Sequence, residues 1–330
     1  MSTSSYDITV KGKKKTLPAI RVGNTTVVVR GGMLKIAEIF DEYWLEKRLL
    51  PDPLCVIDEV SQHGSGIDLF TFTQRVPDTT PHFDFIHVWD NVAAIEIQSF
   101  EDWLHHGISD STRRNIRSSE KRGVQVRVCA FDETYVRGIM DIYNETPIRH
   151  GRRFWHYGKD FADVRNENGT YVERSTYLAA YFQEEMVGYC KLVRDKDTAA
   201  IMQILSKMRY LDKRPNNALM AAAVKECCAH GIRYLLYERL VYGKKTDSSL
   251  TKFKQSNGFT RMDVPRYFVP LTLKGRLAII TGLHRSLKDR IPGRIMELYV
   301  SLRKACYSRR NRGISNDETM GSGVDRERRG

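Results

Sequence analysis

The chain has 330 residues, enough for two ordinary domains with cores of their own, and its 41% hydrophobic and 28% charged residues exclude a fibrous or wholly disordered chain. The formal net charge is +13, but 14 Lys/Arg against 6 Asp/Glu fall in residues 271–330, so +8 of it sits in a C-terminal tail and the body is only mildly basic. Six cysteines (55, 129, 190, 227, 228 and 306) show no C-x-x-C pair and no zinc spacing, so they read as reduced thiols of a cytosolic protein without a metal. No N-terminal apolar leader and no run of eighteen apolar residues is present, so the expectation is a cytoplasmic chain that does not span a membrane.

Two strands, 17–22 and 25–29, flank the turn Gly23-Asn24, and Gly31-Gly32 breaks the chain before a helix predicted over 34–48. Further strands are predicted at 54–57, 68–74, 82–87 and 92–97, the inventory of a small α/β or α+β unit with no evident catalytic constellation. Ser99 opens a helix with a capping-box pattern around Trp103 and Leu104. His105 and His106 are adjacent, and adjacent residues on a helix face different ways, so they make no metal pair. A helix ending at Gly123 places Arg113 and Arg117, with Arg114 nearby, along one cationic edge.

A strand at 126–130 and a helix over 133–144 come next. The segment 145–159 is dense in Arg, His and aromatics, a mix that suits a binding loop, although packing on a sheet explains Phe154, Trp155 and Tyr157 equally well. Strands at 176–182 and 186–193 are joined by Gln183-Glu184-Glu185, a hairpin by spacing.

The stretch 198–259 carries the densest signals, reading strand, loop, helix, strand, loop, helix, turn. An apolar strand at 199–206 runs into a polar loop; Pro215 biases Arg214 out of the helical region, and Asn216 suits the N-cap of a helix from Asn217 to His230 that Gly231 ends. A short strand at 232–237 follows. Thr246 or Asp247 then caps a helix through Ser256, Asn257-Gly258 stops it before Phe259, and 265–271 supplies a closing strand. A basic loop entering a helix N-terminus favours an anion, because free amides and the helix dipole meet the charges of Lys213 and Arg214 there.

Lys213-Arg214-Pro215-Asn216-Asn217-Ala218 resembles the coenzyme A pyrophosphate loop of the GCN5-related N-acyltransferases (GNAT), Gln/Arg-x-x-Gly-x-Gly/Ala, with Asn216 at the central Gly as a residue that tolerates positive φ. Asn257-Gly258-Phe259 resembles the Gly-Phe that closes the last helix of that superfamily. The Arg-rich helix before Gly123-Val124 resembles the linking helix of the two-domain, Fem-type (FemAB-like) acyltransferases. The resemblance covers about 125–271 well and the first half loosely. It implies an α/β (α+β) fold of tandem GNAT-like domains with mixed central sheets, the second more complete: 1–122 a degenerate first domain with the linking helix, and 123–272 the acyltransferase domain.

What the resemblance implies for chemistry follows the superfamily order. An amine or hydroxyl attacks an acyl thioester, with acyl-CoA or acetyl-CoA as co-substrate and no metal. Amides near Ile204, Leu205 and Ser206 are candidate oxyanion donors. Glu145, His156 or Glu238 are candidate bases, Ser206 is placed to orient a water, and Tyr237 or Tyr242 stand where the family keeps its acid. Lys213, Arg214, Asn216, Asn217 and Ala218, with Ile204 and Leu205, are the coenzyme-binding candidates. Arg149, Tyr157, Lys159 and Gln203 are the candidates for the acceptor side.

The last part, 273–308, reads as a basic helical extension in which 294–307 forms an amphipathic helix, with Ile295, Leu298, Tyr299 and Leu302 on one face, suited to docking on the protein or to peripheral contact with an anionic membrane. The tail 309–330 is polar and is expected to be disordered. The resulting expectation is an acyltransferase acting on an amine or hydroxyl of an envelope or polysaccharide precursor. An aminoacyl-tRNA-dependent Fem-type peptidoglycan aminoacyltransferase, with tRNA as partner, and a non-catalytic GNAT-like binding protein are the alternatives.

Overall fold

In a computed structural model of the chain, the described residues are 4–10, 13–63, 66–243 and 248–284. The strands of their main sheet are β1 (Ser4–Val10), β2 (Lys13–Val22), β3 (Thr25–Arg30), β4 (Ile36–Ile39), β5 (Leu69–Thr73), β6 (Ile86–Glu96), β7 (Gln125–Cys129), β8 (Ser175–Phe182), β9 (Glu185–Asp195), β10 (Thr198–Ser206), β11 (Tyr234–Leu236) and β12 (Thr260–Pro270). They form one mixed sheet in the order β1-β2-β3-β4-β5-β12-β6-β11-β10-β9-β8-β7. The pairs β4-β5 and β10-β11 are parallel and the other neighbours antiparallel. The last strand, β12, is therefore threaded into the first half of the chain, between β5 and β6.

The helices are α1 (Pro53–His63), α2 (Asp110–Lys121), α3 (Glu133–Tyr143), α4 (Phe161–Asn168), α5 (Pro215–Ala229), α6 (Ser249–Ser256) and α7 (Leu273–Ile280). Val56 and Val60 of α1 bury against Val27, Phe70 and Tyr267. In the second half α2 and α5 cover one sheet face, where Ile116, Leu219 and Val224 meet Leu178, Val187 and Ile201. On the other face Tyr135 and Ile139 of α3 and Val164 of α4 meet Tyr177 and Tyr189. Strands covered on both faces read as continuous apolar runs, which is why β5, β8 and β9 are recognisable as strands without alternation.

The sequence expectations for the second half hold: β7, α3, the β8-β9 hairpin, β10, and Gly231 at positive φ after α5 all fall where the residues place them. In the first half several do not. The helix predicted over 34–48 is instead β4 followed by turns, because Ile36–Ile39 finds strand partners on both sides and Asp41 takes a positive φ of 54° that ends any regular element. The strand predicted at 54–57 lies inside α1; Pro53 is the first helical residue, its missing N–H costing nothing there, and Asp52 accepts from Leu54 N. The two strands predicted at 82–87 and 92–97 are one, β6, because Asp90 and Asn91 continue the ladder with Val264 and Asp263. The helix predicted from Asn217 begins at Pro215. The caps expected at Thr246 or Asp247 lie outside the described residues; Ser248 caps α6, accepting from Thr251 N.

These elements belong to one unit, residues 1–149 and 153–284; a second comprises His150–Arg152 and the segment from Arg285, of which only the first three residues are described. The helix expected at 294–307 and the tail at 309–330 are outside the described residues. Among the described residues no helix is long and apolar enough to cross a membrane.

Candidate active site

Strands β10 and β11 run side by side for three residues only, Thr198↔Tyr234 to Ala200↔Leu236. Beyond that point β10 stays with β9, while the chain after β11 turns to the other side, Tyr237 N donating to Ala93 O and Ala93 N to Glu238 O. A register shift in the β9-β10 ladder, where Leu192 pairs Ile201 and Lys191 pairs Gln203, leaves Met202 as a bulge at the divergence. The result is a wedge with one wall made by the edge of β10. Lys207 N donates to Val187 O, so by the alternation of an antiparallel ladder Leu205 also faces β9, whereas Ile204 and Ser206 turn their amides toward the wedge. Of the three amides expected to hold an oxyanion, two are aimed at the opening and one, Leu205, is committed to the sheet.

The β10 to α5 connection is a 3₁₀ turn, Met208–Lys213, and then Arg214, which caps α5 with φ 61°. Asn216, expected as the N-cap with positive φ, instead lies in the first turn of α5; its Oδ1 is buried without a hydrogen-bond partner. The physical reason is Pro215: its fixed φ is helical and it needs no donor, so it takes the first helical position and moves the left-handed residue to Arg214. Lys213 pairs with Asp212 at 3.2 Å, Asn217 is half-buried and Ala218 is buried. The head of this turn is held from within. The Glu145 carboxylate accepts from Met208 N at 2.5 Å and Arg209 N at 3.0 Å, so this expected base is anchored on backbone amides. Arg149 donates to the Ser206 carbonyl and stacks over Phe154, while its Nη1 and the Ser206 Oγ are buried without partners. Burial holds the Arg149 guanidinium below its ordinary pKa.

His156 is buried on the α3-α4 face, its Nε2 3.2 Å from Gln203 Nε2 and its Nδ1 3.7 Å from Glu167. The neutral ring faces a nitrogen donor at each end, Gln203 Nε2 at Nε2 and Lys159 Nζ, 3.3 Å away, at Nδ1. Burial lowers the His156 pKa, which keeps this neutral form near pH 7. Lys159 is bound to Glu167 and sits 4.0 Å over Trp155, and Tyr157 is exposed. His156, Lys159 and Gln203 thus form one positioning cluster behind β10.

The segment after β11, on the opposite wall of the wedge, carries Tyr237, Glu238 and Tyr242, and sequence reasoning missed what fixes them. Lys254 of α6 is wholly buried; its Nζ donates to Tyr237 O at 2.5 Å and Arg239 O at 2.7 Å, and lies 3.5 Å from Tyr242 Oη. Tyr242 in turn donates to Glu238. Burial brings Lys254 down to about 8, against the pull of Glu238. Burial also raises the hydroxyls of Tyr237 and Tyr242, so both are neutral donors at pH 7. A signal did exist: Thr251 and Lys254, three apart on α6, are its buried residues, an amphipathic helix with polar groups turned inward. A second buried lysine, Lys191, is held by the Asn168 and Thr170 carbonyls, and burial brings it to about 8.

Residues 109–240 match the family model described as an acetyltransferase (GNAT) domain. The chain has the GNAT superfamily fold, in its Fem-like form. Among solved structures, this chain is similar to the C-terminal domain (DUF2156) of a putative lysylphosphatidylglycerol synthetase from Agrobacterium fabrum, with 13% identity, 80% of this chain and 87% of that chain covered, and a TM-score of 0.53. It is similar also to FemX, with 10% identity, 84% and 90% covered, and a TM-score of 0.50. No curated protein matches the sequence significantly. Within this GNAT fold the Asn257-Gly258 stop is explained by packing: Gly258 has φ 89°, and a Cβ there would lie 2.6 Å from Gly107 O, while Trp103 Nε1 donates to Asn257 O at 3.0 Å.

Proposed function

We propose that the chain transfers an acyl group to an amine, or a hydroxyl, in the wedge between β10 and the segment after β11, with acyl-CoA as donor. The observation that carries this reading is the divergence of the two strands, which points the Ile204 and Ser206 amides at an opening whose other wall is a fixed Lys254-Tyr242-Glu238 chain. The acyl carbonyl oxygen lies against the two amides, and the acceptor nitrogen attacks the carbonyl carbon. As the C–S bond breaks, the proton lost by the nitrogen passes to Glu238 and the leaving thiolate takes one from Tyr242, so charge balances over the step. In this reading 123–272 carries the transfer, and the strands of 1–122 that pair with β12 build the floor next to it.

One feature supports a second donor, an aminoacyl-tRNA. Glu145 already fills the Met208 and Arg209 amides, and Pro215 removes another donor from the helix start, so the turn offers a pyrophosphate less than a glycine loop does. One similar structure is a domain of a putative lysylphosphatidylglycerol synthetase, so lysyl-tRNA is the aminoacyl donor chosen as probe. Thermal unfolding with acetyl-CoA, CoA and lysyl-tRNA, together with mass spectrometry of an added amine, separates the readings. A raised melting temperature and a mass gain with acetyl-CoA support the first, the same with lysyl-tRNA alone support the second, and no shift with any donor overturns both.

A further inference from the structure

Away from the coenzyme side, a cavity of about 320 Å³ opens on the sheet face beneath residues 42–44 and the turn after β5. Its floor is apolar, from Val92, Leu236 and Val264, and Trp44 forms part of the wall. Six charged residues line it, Glu42, Asp90 and Glu238 against Arg75, Arg239 and Arg266, so the formal charge balances. Their pairings are largely complete: Asp90 accepts from Arg266 at 2.6 Å and Arg239 at 2.7 Å, and Arg75 is held by the Tyr43 carbonyl at 3.2 Å and faces Asp195 at 3.6 Å. Glu42 accepts from Thr73 N at 2.6 Å, with Arg266 3.9 Å away; burial outweighs that guanidinium and raises its carboxyl to about 7.

Two groups are left over. The Tyr43 hydroxyl faces the Glu238 backbone without completing a hydrogen bond, and Thr73 Oγ1 has no partner; both atoms are buried. Buried hydroxyls are ordinarily satisfied, and their cost is met when a ligand supplies the missing partner. In its lining, Glu238 is held at φ 46° and receives the Tyr242 hydroxyl, so the cavity includes the groups assigned to proton transfer.

Resting on the transfer reading above, we propose that this cavity seats the acceptor and takes a neutral, hydroxyl-rich ring of monosaccharide size, presenting its amino or hydroxyl group to Glu238 and Tyr242. Apolar walls suit the C–H faces of such a ring, and a few convergent polar groups fix its edge. The balanced lining disfavours an anion, since Arg239 and Arg266 are already shared with Asp90. It equally disfavours an apolar ring, which would leave Tyr43 Oη and Thr73 Oγ1 unmatched.

The test titrates the full chain, with no acyl donor present, with methyl glucosaminide, cyclohexylamine and glucose 1-phosphate, following ligand signals by saturation-transfer NMR and affinity by calorimetry. The glycoside should bind best. Tyr43→Phe and Thr73→Val remove groups that have no partner in the free protein, so each should keep the melting temperature of the parent and weaken the glycoside about three- to tenfold. No glycoside binding, equal binding of cyclohexylamine, tighter binding of glucose 1-phosphate, or unchanged affinity in both variants overturns the proposal. Because no donor is present, the outcome is independent of whether acyl-CoA or lysyl-tRNA proves to be the co-substrate. A chain that binds the glycoside but transfers nothing would retain this site and lose the transfer reading.

Discussion

Lys254 shows how a single residue can hold a site without touching substrate. Its ammonium satisfies two carbonyls at a bend that no strand partner supports, and Lys254→Met should cost about 2–4 kcal/mol near pH 7, because those carbonyls lose their donor in a buried setting. The pH dependence has a definite sign. In the folded chain Lys254 gives up its proton near pH 8, whereas in the unfolded chain it holds it to the ordinary lysine range, so the unfolded state binds the extra proton between the two. Parent stability relative to Lys254→Met should therefore rise from pH 8 to pH 10. Urea denaturation of both at pH 7 and 9.5 checks this; a gap that stays constant means that the lysine is not shifted. The sequence exposed Tyr237, Tyr242 and Glu238 by their place after a strand, but it hid Lys254, since a lysine in a short polar helix looks solvated until the helix's inner face is known.

At the scale of an element, the turn between β10 and α5 is where residue reading and backbone conformation parted. The basic loop, the proline and the helix after it were all legible, yet the left-handed residue is Arg214 and not Asn216, because Pro215 is better used inside the helix than before it. Arg214→Gly should then stabilise by up to about 1 kcal/mol, and Asn216→Gly should destabilise by about 1 kcal/mol; the reverse ranking in thermal melts would restore the original register. The same turn is clamped to the β8-β9 hairpin by Glu185, which accepts from Lys207 at 2.5 Å, from Tyr210 at 2.5 Å and from Arg209. Burial alone would raise Glu185, but these three partners outweigh it and bring it down to about 2. Its stabilisation is therefore full above the ordinary glutamate range and is lost as pH falls toward 2. Hydrogen exchange of the Met208–Lys213 amides at pH 5 and pH 3 should speed up on acidification in the parent, beyond the intrinsic pH effect, and should not in Glu185→Gln. In the first half, where the 34–48 and 54–57 assignments failed, four- to eight-residue apolar runs fit either helix or strand, and the deciding contacts are tertiary: β4 is held between β3 and β5, and α1 packs on Val27, Phe70 and Tyr267.

The molecule as a whole depends on that late strand. β12 pairs with β6 from Thr260↔Ala94 to Phe268↔Ile86 and with β5 from Arg266↔Thr73 to Pro270↔Leu69, while β6 also pairs with β11. Tyr267, wholly buried, stacks on Phe72 at 4.9 Å and donates to Gln74 at 2.7 Å, so its ring and hydroxyl both serve the first half. A chain ending at Gly258 would leave β5 and one edge of β6 without their ladder and expose Phe70 and Phe72, which a small domain does not survive. Residues 1–122 expressed alone should for the same reason lack cooperative unfolding. In the intact chain, tryptophan fluorescence and far-ultraviolet circular dichroism should lose their signals at one urea concentration, and the amides of β6, β11 and β12 should be among the slowest to exchange. A truncated chain that unfolds cooperatively, or two separated transitions in the intact one, would show that the halves fold independently and that β12 only bridges them. The shared strand also explains why the proposed acceptor cavity and the transfer wedge can be kept in register: Val264 and Arg266 line the one, and the ladder they belong to runs through β6 to β11, whose end turns away to open the other.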